Sequence, residues 1–288
     1  MVVCYGFDAP LRMWKQILLI SFVLHSATSF AQNDVAIHFL GEEKAIRAGY
    51  YGHSEYVLTR FPAVKSQDSI RKIINKELLK YPKSFLKKAR VGKIIVVDEA
   101  YCIKDDTIYA MVDATYVVPL ENGNIMFLSG TSSMLPGVIH HELSSIMMYE
   151  LSSDSLVYEK LLNAQKAFVS MTPYYSDEEK AKASASAKTF AYPANTNNYF
   201  VLGNSGYSLV DFENDFNTIA QCLFTPTLTK GQHRLLVDPK MKLWEFLDVA
   251  KQDNYPIYKK VQLVIECYKM IDPVFTEEYF RNLEKQPF

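Results

Sequence analysis

The chain has 288 residues, a formal net charge of −1 and 49% hydrophobic residues. This near-neutral balance lacks the basic excess of a nucleic-acid-binding protein, so nucleic acid is not the expected partner. The length suits one large domain or two small ones, and 19 Tyr with 17 Phe provide enough aromatic surface for a sizeable core.

Residues 1–31 have the pattern of a secretory signal peptide. Lys15 gives a basic start, residues 17–24 form an apolar run too short to cross a membrane, and residues 29–31 (Ser-Phe-Ala) form a small-x-small cleavage site. Cleavage there would leave Gln32 first, and Met13 is an alternative start. No later apolar stretch reaches membrane-spanning length. The sequence therefore predicts an exported protein, secreted or held in the periplasm or cell envelope, without a membrane span in its mature part.

Strand-like and helix-like patterns follow in chain order. β-branched runs and period-2 alternation predict strands, and apolar residues three and four apart predict helices. A charged turn at residues 104–106 joins two of the strands as a hairpin. The predicted strands are residues 35–40, 93–98, 101–103, 107–116 and 125–128, and the predicted helices of this half are residues 69–80 and 85–89.

The second half of the chain is mostly helical, with a polar loop at residues 193–206. Because the strands precede most of the helices, we expect an α+β fold with a small mixed or antiparallel sheet. Residues 32–288 are expected to form a single domain whose C-terminal part is a helical subdomain. Its predicted helices are residues 155–171, 212–224, 244–250, 257–271 and 276–283.

The most informative motif lies in a helix that contains residues 139–148. His141 and Glu142 match the start of the His-Glu-x-x-His motif of zinc hydrolases, but Ser145 stands where the second histidine belongs. Two imidazoles four residues apart share one helix face and can bind one zinc ion, while the glutamate takes a proton from the zinc-bound water. A neutral serine hydroxyl is a poor zinc ligand, and His140 points about 100° away from His141 around the helix.

A second group of acids opens the helix at residues 212–224. Glu213 and Asp215 lie in its first turn, where the helix dipole favours carboxylates. Either acid could cap the helix, or one could supply a metal ligand from this second helix. Which residue of this second motif would be the metal ligand is open. Aligning the motif on Phe216 places Asn214 at the ligand position, whereas a shift of one residue makes Glu213 the ligand.

The order of these two motifs resembles that of the gluzincins, and most closely the zinc-binding metallopeptidases of secreted Bacteroidetes proteins. The resemblance covers roughly residues 93–224. It implies a zincin-like fold in which His141 and Glu213 bind zinc, Glu142 is the general base and Asp215 orients a histidine.

The same resemblance implies that His140 and Ser145 are further polar groups near a zinc site that lacks one ligand. It also implies that the last strand before the motif helix, residues 125–128, is a sheet edge that pairs with extended peptide. Zinc is the only cofactor implied, and its site is degenerate.

Three functions remain open. The chain could be a zincin-like protein with a degenerate zinc site that binds a peptide or a partner protein. It could be an active zinc metallopeptidase with an atypical ligand set, or an unrelated secreted α+β interaction domain in which the motif is coincidental.

The remaining candidate ligands are isolated in the sequence. The cysteines lack the spacing of a metal or redox site and are expected to be buried small hydrophobes; they are Cys102, Cys222 and Cys267. The single histidines are expected in the core or on the surface, although one could supply a ligand from elsewhere in the fold; they are His38, His53 and His233.

Overall fold

The computed structural model describes residues 35–39, 44–46, 55–58, 64–97, 100–104, 107–111, 116–118, 124–129, 135–152, 154–180, 202, 206–226 and 242–286. These residues divide into two compact units, the first within Met1–Arg71 and Val91–Ser132 and the second within Lys72–Arg90 and Ser133–Phe288. Strands occupy the first unit and helices the second, so the α+β fold is confirmed. The predicted leader, residues 1–31, lies outside the described residues.

Two four-stranded sheets form the first unit. One is mixed: β1, β4 and β8 run parallel and β7 pairs antiparallel with β8. The other is antiparallel in the order β2-β3-β5-β6. The strands of the described chain are β1 (Ala36–Phe39), β2 (Lys44–Ile46), β3 (Glu55–Leu58), β4 (Val91–Val97), β5 (Ala100–Lys104), β6 (Thr107–Met111), β7 (Tyr116–Val118) and β8 (Asn124–Ser129).

The position of β8 corrects one expectation from the sequence. The strand before the motif helix was expected to be a sheet edge, but β8 lies between β4 and β7 and pairs with both. Met126 and Leu128 of this strand are fully buried, as suits an interior strand. Among the described strands, the antiparallel β7 ends this sheet instead.

The hairpin of β5 and β6 is confirmed, with Lys104 paired to Thr107 across the predicted turn. The strands β2 and β3 have no counterpart in the sequence-based prediction. Both are only three or four residues long, and runs of that length carry little periodicity.

Helices form the second unit. The helices Ser155–Met171 and Phe212–Phe224 have the predicted bounds, and the others differ from the prediction by a few residues at their ends. They are α1 (Val64–Leu78), α2 (Lys83–Lys88), α3 (Leu135–Ser152), α4 (Ser155–Met171), α5 (Phe212–Phe224), α6 (Leu243–Gln252), α7 (Pro256–Ile271) and α8 (Glu277–Lys285). Only the last part of α1, from Lys72, belongs to this unit. No helix among the described residues is long and apolar enough to cross a membrane.

An aromatic cluster forms the core of the second unit. Its rings stack or meet edge to face at centroid distances such as 4.4 Å between Tyr81 and Phe224 and 5.1 Å between Phe85 and Phe275. Burial of each such ring contributes about 1.5–3 kcal/mol to folding. The cluster consists of Tyr81, Phe85, Phe224, Tyr268, Phe275 and Phe280. The thiols of Cys222 and Cys267 are free and buried beside this core, as the sequence predicts.

Candidate functional site

The two motif helices, α3 and α5, pack against each other. Gly137 near the start of α3 lies against Gln221 near the end of α5, and a Cβ at Gly137 would be only 2.5 Å from the Gln221 amide nitrogen. Farther along, Ser145 of α3 contacts Glu213 of α5. Residues 137 and 145 of α3 therefore face residues 221 and 213 of α5, so the two helices run in opposite directions. We call this contact line the α3–α5 seam.

Ser145 is the centre of a short hydrogen-bond chain in the seam. Its Oγ donates to Glu213 Oε1 at 3.1 Å and accepts from Asn217 Nδ2 at 2.8 Å. The residue at the position of the missing histidine is thus in direct contact with the carboxylate that the resemblance makes a zinc ligand. Glu213 therefore touches the motif helix at Ser145, one turn beyond His141.

His141 lies one turn before Ser145 and is partly buried. Burial lowers its pKa to about 4, so the imidazole is neutral at pH 7. A neutral imidazole is the form that binds metals. The candidate general base Glu142 is buried, with 6% of its surface exposed.

Glu213 is partly buried, and the charge of a second acid acts on its carboxylate. Burial, assisted by the nearby Asp211 carboxylate, raises its pKa to about 7, and the Ser145 hydroxyl only partly opposes this. Asp211 is the N-cap of α5 and accepts a hydrogen bond from Asn214 N at 2.8 Å. No cation among the described residues contributes to the pKa of Glu213.

Asp215 occupies a different environment from Glu213. Its Oδ2 forms a buried ion pair with Lys260 and accepts hydrogen bonds from Tyr174 OH at 2.8 Å and Thr172 Oγ1 at 3.4 Å. The Lys260 ammonium also lies 4.9 Å from the centre of the Phe168 ring. These contacts tie α5 to α4 and α7, and none of them orients a histidine, the role that the resemblance implied for Asp215.

His140 lies on the core side of α3, away from the seam. Its Nδ1 is 2.8 Å from Tyr81 OH and its Nε2 is 2.7 Å from Glu77 Oε2. Its ring stacks on Phe224 at 4.9 Å, and burial lowers its pKa to about 4. Lys80 joins the same network by donating to the Phe224 carbonyl at 2.7 Å, at the C-terminal end of α5. Both ring nitrogens of His140 are thus engaged within the core.

The seam contains no complete set of the usual metal ligands. Within the described parts of the chain, no group of three or more His, Cys, Asp and Glu side chains could hold a metal ion. His38 is exposed on β1, and His53 and His233 lie outside the described residues. The donors that the structure brings together on the seam are the carboxylate of Glu213, the hydroxyl of Ser145 and the amide of Asn217.

Two residues of this site have no counterpart in the sequence-based prediction. Asn217 follows Glu213 by one helical turn and therefore shares its face of α5, which is a signal that the sequence contains. Asp211 immediately precedes the helix and is a favoured N-cap residue. Neither signal is specific, because exposed helices often carry an Asn at that spacing and an Asp at that cap.

Comparison with known proteins adds no relative. The chain matches no family model, no curated protein and no solved structure. What the site can do is therefore inferred from its own residues, above all from Ser145 and Glu213.

Proposed function

We propose that this is an exported, zincin-like protein whose catalytic zinc site is degenerate and which binds a peptide or a partner protein. The proposal joins the His141–Glu142 motif on α3 to the acid Glu213 on α5, in the order that resembles the gluzincins. Support comes from the packing of these two helices along one seam.

The contact between Ser145 and Glu213 carries the proposal. A catalytic zinc ion needs three protein ligands and a water molecule. The hydroxyl of Ser145 occupies the turn where the second imidazole would stand, and it uses its proton to bind Glu213 Oε1. This leaves one imidazole and one carboxylate of the usual three ligands, so high-affinity zinc binding is not expected.

Without bound zinc, Glu142 has no metal-activated water molecule to deprotonate. The glutamate of this motif deprotonates a water molecule whose pKa the metal has lowered. Without that ion, Glu142 is a buried acid in the middle of a helix. Peptide hydrolysis should therefore lie near background, while the fold can still present a surface to a partner.

A strand edge supports a peptide or an extended protein segment as the partner. In the described part of its sheet, β7 has a hydrogen-bonded neighbour on one side only, β8. An open antiparallel edge can pair with an extended chain through backbone hydrogen bonds. Because this uses the backbone, it does not require a working metal site.

Zinc content tests the proposal directly. We expect the purified protein to contain less than stoichiometric zinc after equilibration with zinc and desalting, as measured by mass spectrometry of the metal. Ser145→His restores a second imidazole one turn after His141 and should gain stoichiometric zinc. Ser170→His, which adds an imidazole at an exposed serine of α4, is the matched control and should not. Stoichiometric zinc in the unmodified protein that is lost on His141→Ala would instead support the active metallopeptidase.

Export is tested separately. The basic residue Lys15, the apolar run at 17–24 and the cleavage pattern at 29–31 favour removal of the leader. Intact-mass measurement on protein from the producing cells should give a chain that begins at Gln32. A chain that keeps residues 1–31 in the cell envelope would contradict this part of the proposal.

A further inference from the structure

The segment Lys72–Arg90 of the helical unit, which we call the basic segment, concentrates positive charge in a chain whose net charge is −1. It contains seven basic residues and one acid, Glu77. Glu77 is 4% exposed and its Oε2 is bonded within the core to Lys80 and His140, so it does not neutralise the surface. The basic residues are Lys72, Lys76, Lys80, Lys83, Lys87, Lys88 and Arg90.

Three of these residues take part in contacts of the fold. Lys80 is buried in its ion pair with Glu77, and Arg90 lies 3.8 Å from a carboxylate oxygen of Glu150. Lys88 donates to a backbone carbonyl at the end of α7. Four further lysines of the basic segment have exposed side chains, and they are Lys72, Lys76, Lys83 and Lys87.

A protruding leucine lies between these lysines. Leu79 is 85% exposed, whereas Val169, the next most exposed large hydrophobic residue of the described chain, is 55% exposed. The amide nitrogen of Leu79 donates to the Asn75 carbonyl at 3.1 Å, so Leu79 extends α1 by one residue. The two residues that follow it, Lys80 and Tyr81, are buried. The leucine is therefore presented to solvent from a turn that the core holds in place.

Helical spacing places the leucine and the lysines on common faces. Lys72, Lys76 and Leu79 are separated by four and three residues and share one face of α1. Lys83 and Lys87 are four residues apart and share one face of α2. Leu79 thus has an exposed pair of lysines before it in the chain and another pair after it.

We infer that the basic segment binds an anionic phospholipid surface, with its lysines at the headgroups and Leu79 inserted between them. Clusters of four to eight basic residues attract anionic lipid, and an apolar side chain beside them adds binding by entering the boundary between headgroups and acyl chains. The long stem of a lysine lets its ammonium group reach a phosphate while its methylene groups cover apolar surface.

Other anionic partners fit this surface less well. Single-stranded nucleic acid is held by bases that stack on aromatic side chains, but Tyr81 and Phe85, the aromatic residues of the basic segment, are buried. The segment's one arginine, Arg90, is next to Glu150. A protein interface has a larger apolar centre than one leucine provides.

This inference goes beyond the proposed function and is independent of the zinc site, because the basic segment contributes no residue to the α3–α5 seam. No helix of the described chain is long and apolar enough to cross a membrane, and the inferred contact is a peripheral one that needs no such helix. Export, as proposed above, would bring the protein past the lipid surfaces of the cell envelope.

Co-sedimentation with lipid vesicles tests the inference. Protein recovered from the producing cells is mixed with vesicles of equal parts phosphatidylglycerol and phosphatidylcholine, or with vesicles of phosphatidylcholine alone. We expect binding to the anionic vesicles to be at least about tenfold stronger. It should weaken as the salt concentration rises, because salt screens the attraction between the lysines and the headgroups.

A quadruple variant tests the lysines. Replacing all four exposed lysines by Gln should weaken binding at least about thirtyfold, because each lysine near an anionic surface contributes roughly fivefold. The matched control replaces four exposed lysines of α4, α7 and α8, changes the net charge equally and should stay within about twofold of the unmodified protein. The test variant is Lys72→Gln, Lys76→Gln, Lys83→Gln and Lys87→Gln, and the control is Lys160→Gln, Lys166→Gln, Lys259→Gln and Lys285→Gln.

A single variant tests the leucine. Leu79→Gln should weaken binding to the anionic vesicles about fivefold, because the inserted apolar side chain is lost while every charge is kept. Val169→Gln, at the exposed valine of α4, is the matched control and should leave binding unchanged.

Equal binding to the two kinds of vesicle, or equal losses in the quadruple variant and its control, would overturn the inference. Polyglutamate is tested in parallel, and a protein that binds polyglutamate but not the anionic vesicles has a surface for an acidic protein instead, which also overturns it. If circular dichroism shows that the quadruple variant does not fold, Leu79→Gln decides, and unchanged binding of that variant would overturn the inference.

Discussion

The ammonium group of Lys260 and the carboxylate of Asp215 form an ion pair in which neither side chain is exposed to solvent. Lys260 belongs to α7 and Asp215 to the first turn of α5, and Thr172 and Tyr174 after α4 complete the cluster. The pair therefore fixes the start of the helix that carries Glu213. Burial makes each charge dependent on the other, because an unpaired charge in a protein interior costs several kcal/mol.

Removal of one member of this pair should be far more harmful than removal of both. Lys260→Met is expected to lower the free energy of unfolding by about 3–5 kcal/mol, because the charge of Asp215 remains buried. The double variant Lys260→Met with Asp215→Leu should recover most of that loss. Chemical denaturation measures both values. Asp248→Ala, which breaks an exposed pair with Arg281, is the control and should cost less than about 1 kcal/mol. Equal losses in the single and double variants would contradict the expectation.

Acid should weaken the fold through His140. Its folded pKa of about 4 lies below the usual histidine pKa of 6.5, so folding favours the neutral ring. The contribution of His140 to the free energy of unfolding is complete above pH 6.5. As the pH falls from 6.5 to about 4, it decreases by about 1.4 kcal/mol per pH unit. His140→Gln cannot take up this proton, so its stability should fall less steeply over that window. Denaturation midpoints measured at several pH values give the slope, and an unchanged slope would exclude His140 as the sensor.

Glu213 should act in the opposite direction over part of the same window. Its folded pKa of about 7 lies above its usual 4.5, so folding favours the protonated acid and this group adds stability as the pH falls from 7 to 4.5. Glu213→Gln removes that contribution and should make the loss of stability in acid steeper. The two variants therefore shift the slope with opposite signs, which a general loosening of the fold would not do.

Local signals predicted the helices well and the contacts between them poorly. The bounds of α4 and α5 follow from apolar periodicity and from the residues that start and stop each helix. The partner of Asp215 could not be predicted in the same way, because Lys260 lies on another helix and nothing in the spacing of α5 points to it. An acid in a first turn indicates a cap, a ligand or a buried pair equally well.

The place of β8 in its sheet shows the same limit for strands. The run at residues 125–128 predicted a strand, and β8 covers it. Its position inside the sheet depends on pairing with β4 and β7. Such pairing is set by contacts between residues distant in sequence, which the local pattern does not contain. For the candidate site, the sequence indicated His141, Ser145 and Glu213, but only the packed helices showed that Asn217 joins them.

Asp211 should influence Glu213 through its charge and α5 through its cap, and two variants separate these effects. Asp211→Asn keeps an oxygen for Asn214 N, so stability should change little, while the pKa of Glu213 should fall because a like charge is removed. Asp211→Ala should lower that pKa as well but cost about 1 kcal/mol through loss of the cap. NMR titration of the Glu213 carboxyl carbon measures the pKa, and an unchanged value in both variants would contradict the coupling.

The close approach of Gly137 and Gln221 should set how much volume the seam tolerates. A Cβ at position 137 would lie 2.5 Å from Gln221 Nε2, which is the movable end of a flexible side chain. Gly137→Ala should therefore stay within about 1 kcal/mol of the unmodified protein, because the gain in helix propensity offsets the displacement of the amide. Gly137→Leu extends past the amide into α5 and should cost about 1–3 kcal/mol through overpacking. Adding Gln221→Ala to Gly137→Leu should recover part of that loss, as measured by chemical denaturation. Gln221→Ala alone is the control. If Gln221→Ala changes the free energy of unfolding equally in the unmodified protein and in Gly137→Leu, the two side chains do not compete for the same space.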